Sequence, residues 1–203
     1  MNFRTTVLSL AALMLISIGS EAQKLKVTSG KLKDLSAHKS FNMEYSYEDG
    51  LLIGKKTEEE YVEEKVTSKN EKEAGTGDAW AKKWEENKKG GKFFEKFETL
   101  FNDVLKGDGV TASRDNADAT CTLKINVYFM DPGYNIGISS RPAYVSMTAT
   151  FVADGKTIAV VDMVKAPGTG AGGYDFDASY RISESFAKSA KTLAKNLKKS
   201  AYK

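Results

Sequence analysis

The chain of 203 residues has one cysteine and one histidine. A single cysteine allows no internal disulfide, so the fold must be held by packing. A single histidine, His38, removes the usual base for nucleophilic catalysis, and no GxSxG elbow is present. One His and one Cys far apart in sequence do not supply the three protein ligands of a zinc site without carboxylates. Charge of one sign is also missing. Thirty basic and 27 acidic residues nearly cancel to +3. The two signs are mixed along the chain, which describes a solvated surface better than a nucleic-acid-binding one. Long apolar runs are absent except at the start.

That start reads Met1-Asn2-Phe3-Arg4, an apolar run from Val7 to Ile18, then Ser20-Glu21-Ala22-Gln23. A cation, a short apolar stretch and small residues at −3 and −1 make an export signal, expected to be cut after Ala22. The run falls short of the roughly 20 residues that span hydrocarbon, so no transmembrane segment is expected. No cysteine opens the mature chain to accept lipid. Residues 1–22 are therefore read as signal peptide and 23–203 as a single α+β domain, exported to the periplasm or beyond. About 180 residues suffice to bury one core.

Phe41, Met43, Tyr45 and Tyr47 alternate with polar residues and predict a strand ended by Asp49-Gly50. Thr57 and Glu60 form a capping box that opens a helix through about Val66. Residues 67–77 read as a loop. Asp78 is the expected N-cap of a helix carrying Trp80 and Trp84 on one face. Gly90-Gly91 breaks it. Phe93, Phe94, Phe97, Leu100, Phe101, Val104 and Leu105 then mark a strongly amphipathic helix with Gly107 as its C′ residue. Ala119 to Met130 alternates as a long strand stopped by Asp131-Pro132-Gly133. A hairpin follows around Asp154-Gly155, with strands over 145–151 and 158–164. The last helix, Ala178 to Ser200, bears Ile182, Phe186, Ala190, Leu193 and Leu197 on one face. The order implies a two-layer fold: a mixed, mainly antiparallel sheet of four or five strands, with amphipathic helices on one face. A short extra strand fits near Val110–Ser113.

Three motifs invite functional readings. Gly168-Thr169-Gly170-Ala171-Gly172-Gly173 matches GxGxxG, but Asp175 and Asp177 follow where phosphate charge would sit. It reads as a connection to the last helix, with Asp175 and Asp177 as its caps and Arg181 one turn on. Gly50 to Thr57 resembles a phosphate loop, but its glycines are one residue too close for GxxxxGK[ST]. Glu58, Glu59, Glu60, Glu63 and Glu64 suit the positive end of a helix and read as a solvated face. Cys121 reads as a small core residue. Lys188, Lys191, Lys195, Lys198, Lys199 and Lys203 read as a polar helix face.

The segments "NADATCTLKINVYFMDPGYNIG", "RPAYVSMTATFVADGKTIAVVDMVKAPG" and "YRISESFAKSAKTLAKNLKKS", with "TEEEYVEEKV" and "GDAWAKKWEE" upstream, resemble small exported envelope proteins of unknown function from Gram-negative bacteria. The strand, hairpin and helix of the second half are more distantly similar to the periplasmic α/β modules of curli-secretion-type lipoproteins. The resemblance implies binding or assembly rather than turnover, and carries over no functional residue. The expectation is a non-enzymatic binding or scaffolding module whose partner is another envelope protein. No catalytic, cofactor-binding or metal residue is singled out and no cofactor is expected. A carboxylate-based hydrolase of the glycoside class is one alternative, since it needs only two acids. A binder of polyanions or membrane surfaces through the C-terminal lysines is the other.

Overall fold

The computed structural model describes residues 23–169 and 178–203. The expected signal and its cleavage point, most of the GxGxxG stretch, and Asp175 and Asp177 lie outside the described residues.

The chain opens with strand β1 (Lys24–Gly30). It crosses by a 3-10 turn, Leu32–Leu35, whose two leucines are buried, into β2 (Ser40–Ile53). The two-residue β3 (Lys56–Thr57) leads into helix α1 (Glu58–Asn70). Helices α2 (Thr76–Lys88) and α3 (Lys92–Leu105) follow. Strands β4 (Thr111–Ser113) and β5 (Cys121–Asp131) return to the sheet. A small hairpin, β6 (Tyr134–Asn135) and β7 (Ser140–Arg141), precedes β8 (Ala143–Ala153) and β9 (Lys156–Gly168). Helix α4 (Ala178–Ala201) follows.

The fold is α+β, but its sheet is larger than the four or five strands expected. Seven strands run in the order β1-β9-β8-β5-β2-β3, with β4 also on β2, and β6–β7 form a second small sheet. Connection length decides direction. β2 and β5 are separated by three helices and pair in parallel, as a crossover requires. The pairs β5–β8 and β8–β9 are joined by short connections and are antiparallel. The turn between β8 and β9 holds Asp154 at φ +51° and Gly155 at φ +70°, the left-handed pair of a two-residue hairpin. β1 lies outside the sequence expectation because its apolar alternation is only two residues, Leu25 and Val27 alternating with Lys24 and Lys26, on an exposed edge strand.

Burial explains how the layers meet. Phe41, Met43, Leu123, Ile125, Val127, Ala149, Phe151 and Val161 are all buried. The residues between them on β5 and β8, such as Thr122, Lys124, Asn126, Thr148 and Thr150, stay half-buried or exposed. α3 and α4 cover the buried side. Phe93 stacks on Phe186 at 5.3 Å, and Phe41 meets Phe101 and Phe151 edge-on. Each buried phenylalanine contributes about 1.5–3 kcal/mol. Close approach of α4 to β9 depends on small residues: a Cβ on Gly168 would stand 2.0 Å from the Arg181 carbonyl oxygen.

Local expectations were corrected at element ends. Asp49-Gly50 does not end β2. Gly50 takes φ +79° inside a bulge, where the register jumps from Tyr47–Val127 to Leu52–Phe129. The capping box holds, with Glu60 N donating to Thr57 Oγ1 at 3.2 Å and Thr57 N donating to Glu60 Oε2 at 2.8 Å. Its helix continues past Val66 to Asn70. The loop predicted over 67–77 therefore shrinks to residues 71–75. Gly75 occupies the α2 N-cap in place of Asp78, while Asn70 Oδ1 accepts the Gly77 amide at 2.8 Å. Gly107 does not close α3: the chain tightens into a 3-10 turn, and Gly109 takes the left-handed conformation at φ +69°.

Candidate functional site

A cleft of about 490 Å³ lies beside β2, near the break between α2 and α3. That volume lies within the usual range of ligand sites. Its floor is aromatic. Tyr45 stacks on Phe94 with ring centroids 4.0 Å apart, and Tyr47 lies 5.5 Å from the same ring. The rim carries Glu85, Lys88, Lys89, Gly90, Arg114 and Asp115.

Local sequence builds each wall. Alternation along β2 sends Met43, Tyr45 and Tyr47 to the helix side. Gly90 at φ +119° breaks the helix and leaves a low lip, and a Cβ there would meet Arg114 Nη1 at 2.7 Å. Arg114 Nη1 donates to the Gly90 carbonyl at 2.8 Å, and Nε pairs with Glu98 Oε1 at 2.6 Å. The Tyr45 hydroxyl donates to the same Glu98 oxygen at 3.3 Å. At the other end Lys88 lies 4.8 Å above the Tyr47 ring, a cation–π contact, and pairs with Glu58 at 2.5 Å. Trp84, almost wholly buried, donates its Nε1 proton to Glu58 at 2.7 Å.

Glu58 is thus no member of a solvated face. It turns inward to a tryptophan and a lysine, and the sequence reading of the acidic cluster fails at this residue. Glu60 is consumed by the helix cap, and Glu64 pairs with Lys56.

The cleft's tyrosines do not exchange protons near neutrality. Burial pushes the Tyr45 hydroxyl far above its ordinary range, and Glu98 adds to the rise. Burial does the same to Tyr47, reinforced by Glu58 and Glu85. Arg114 holds Glu98, and Lys88 holds Glu58, so both carboxylates serve as counter-ions. The structure offers aromatic faces and fixed charges, a surface suited to binding.

A second feature adjoins the cleft. The outer edge of β2 is paired with β4 over Ser40–Asn42 and with β3 over Leu52–Ile53. Between them, among the described residues, that edge has no strand partner. The Thr111 amide donates to the Lys39 carbonyl at 2.9 Å, which fixes the parity. Residues two apart present their amide and carbonyl to the same side. Met43, Tyr45 and Tyr47 therefore turn their backbone groups to this edge. The Asn42–Ser113 pairing engages the Met43 amide, which leaves the Met43 carbonyl and both backbone groups of Tyr45 and Tyr47 facing the gap. The regular part, five residues, is roughly 17 Å long at the usual rise.

The other residues weighed from sequence do not converge here. Cys121 is buried, its thiol pushed up to about 11 by burial. His38 Nδ1 lies 3.0 Å from Thr120 Oγ1, and its carbonyl accepts the Tyr202 hydroxyl. Lys198 pairs with Asp108 at 2.8 Å. Among the described residues, no group of three or more His, Cys, Asp and Glu is placed to hold a metal, and no helix is long and apolar enough to cross a membrane. Sequence reasoning found Tyr45 and Tyr47 as strand residues but missed the site. Arg114 and Gly90 carry no pattern that ties them to β2.

No family model matches the chain, and no curated protein matches it. Among solved structures it is similar to the PelC dodecamer from Paraburkholderia phytofirmans. The TM-score is 0.37 at 12% identity, covering 85% of this chain and 97% of that one. A single-substitution variant of the same dodecamer gives 0.38 at 12% identity, covering 84% and 96%.

Proposed function

We infer that the protein is a non-enzymatic binding module of the bacterial envelope that holds an extended segment of another envelope protein. The segment adds as a strand to the outer edge of β2, and its side chains enter the aromatic cleft beside that edge. The unpaired backbone of Tyr45 and Tyr47, beyond the end of β4, carries this reading, because buried or edge amides without partners are costly or sticky. Strand addition supplies affinity through main-chain hydrogen bonds and specificity through pockets for alternate side chains. The two-layer arrangement leaves the edge reachable from the side. The rim's mixed charges favour a polar segment with one aromatic or aliphatic anchor. The N-terminal export signal supports the compartment, and the resemblance to small envelope proteins supports the class.

A photo-crosslinking residue in place of Asp115, in cells that export the protein, tests the proposal. One discrete crosslinked partner, lost when the same residue replaces the distant Lys156, is the expected result. A ladder of unrelated products, or turnover of a glycan by the purified protein, overturns it. The hydrolase reading gains little from the cleft: of the two carboxylates that line it, Glu85 and Asp115, Glu85 pairs with Lys89 at 3.6 Å.

A further inference from the structure

Among the described residues, the small β6–β7 hairpin carries the two most exposed large apolar side chains and an exposed tyrosine. Ile138 is 97% exposed, Ile136 63% and Tyr134 43%. Single exposed apolar residues are ordinary, but three on one short hairpin form a patch with a direction.

The hairpin is built before it meets anything. Arg141 forks onto Asp131 with Nη1 and Nη2 at 2.7 and 2.8 Å, and Asp131 also accepts the Gly133 amide at 2.9 Å. The Ile136 amide donates to the Ser139 carbonyl at 3.0 Å, and the Gly137 amide to Asn135 Oδ1 at 3.0 Å. A preformed loop orders little on binding, so its apolar area is not offset by lost chain entropy.

Its charge pattern points to the occupant. From Pro132 to Pro142 the loop contains no acid. At its foot Lys55, Arg141 and Lys165 line a hollow of about 690 Å³ in which, among the described residues, Asp131, paired with Arg141, is the only carboxylate. An aliphatic tip, a tyrosine beside it and a cationic foot match the layers of an anionic bilayer surface: acyl boundary, headgroup level and phosphate. We propose that the β6–β7 hairpin is a shallow membrane anchor that inserts Ile136 and Ile138 into an anionic lipid surface. This is independent of the β2 edge, which lies on a different strand, and of the C-terminal lysines.

The test is flotation of the full chain with vesicles of phosphatidylcholine mixed with phosphatidylglycerol, and with phosphatidylcholine alone. Wild type is expected to float with the anionic vesicles, less as salt rises. The Ile136→Ser/Ile138→Ser variant is expected to partition less by on the order of 100-fold, from the apolar area removed. Both side chains stand in solvent, so its thermal melt should match wild type. A second reporter, Ile138→Trp, should shift its emission to the blue on vesicles. Equal flotation of wild type and double variant, or an Ile138→Trp emission unchanged by vesicles, overturns the proposal. So does a wild-type self-association that the double variant loses without any vesicle binding, which would assign the tip to a second copy.

Discussion

Replacing Glu58 by alanine removes the acceptor of one buried donor and the counter-ion of another. Trp84 Nε1 and Lys88 Nζ both depend on this carboxylate, and the Lys88 and Glu58 side chains are only 12% and 24% exposed. A hydrogen bond to a charged group is worth about 1.5–3 kcal/mol, and breaking a fully buried ion pair costs about 3–5 kcal/mol. Glu58 keeps some solvent, so the loss for Glu58→Ala should fall at the lower end, about 2–3 kcal/mol. For a chain of this size that lowers Tm by roughly 5–10 °C. Glu58→Gln keeps an oxygen for Trp84 but no charge for Lys88, and should cost about half as much. Urea unfolding followed by tryptophan emission is the assay, because Trp80 and Trp84 stack at 5.6 Å within this cluster. A cycle with Lys88→Met should show coupling above roughly 0.5 kcal/mol. If Glu58→Ala lies within about 0.5 kcal/mol of wild type, the residue behaves as a solvated surface acid and the reasoning fails.

Phe97→Ala should cost about 3–5 kcal/mol in urea unfolding, since Phe97 is fully buried between Tyr45 and Phe101; a loss under about 1 kcal/mol would contradict its place in the core. Gly77→Ala should destabilise by about 1–3 kcal/mol, because its Cβ would stand 2.2 Å from the Val66 carbonyl oxygen and push α1 from α2. Alkaline pH should weaken the fold in a definite window. Burial raises the Cys121 thiol from 9.0 to about 11 and the Tyr61 hydroxyl from 10.0 to about 12. Above about pH 9 the unfolded chain ionises first, so stability present below that pH is lost as pH rises toward about 12. Melts at stepped alkaline pH measure it, and a flat Tm over that range would refute it. The same burial should leave Cys121 unreactive toward a thiol reagent at neutral pH until the chain is unfolded.

Periodicity made the large elements legible. The aromatic stripe of α3, the 4-4-3-4 spacing on α4 and the alternation over β5 each arise because one face must leave water, and each lies where expected. Elements with no such face stayed hidden. β1 carries lysines along an exposed edge and β3 is too short to show any period, whereas the short strand expected near Val110–Ser113 is β4, Thr111–Ser113. Asp49-Gly50 misled because the same dipeptide serves a turn or a bulge, and long-range pairing with β5 decided between them. The site was illegible for a related reason. Glu58 meets Trp84 only after α1 and α2 fold back on each other, and the β2 edge is vacant only because β4 and β3 stop short of it. Vacancy is a property of the sheet, and no residue type announces it.

Amide hydrogen exchange along β2 tests the claim of an open edge most directly. In the isolated protein the amides of Tyr45 and Tyr47 should exchange far faster than those of Phe41 and Met43, whose edge β4 covers, and should slow once the crosslinked partner's segment is added. Edge amides already as protected as those at the centre of β8, or unchanged by that segment, would contradict it.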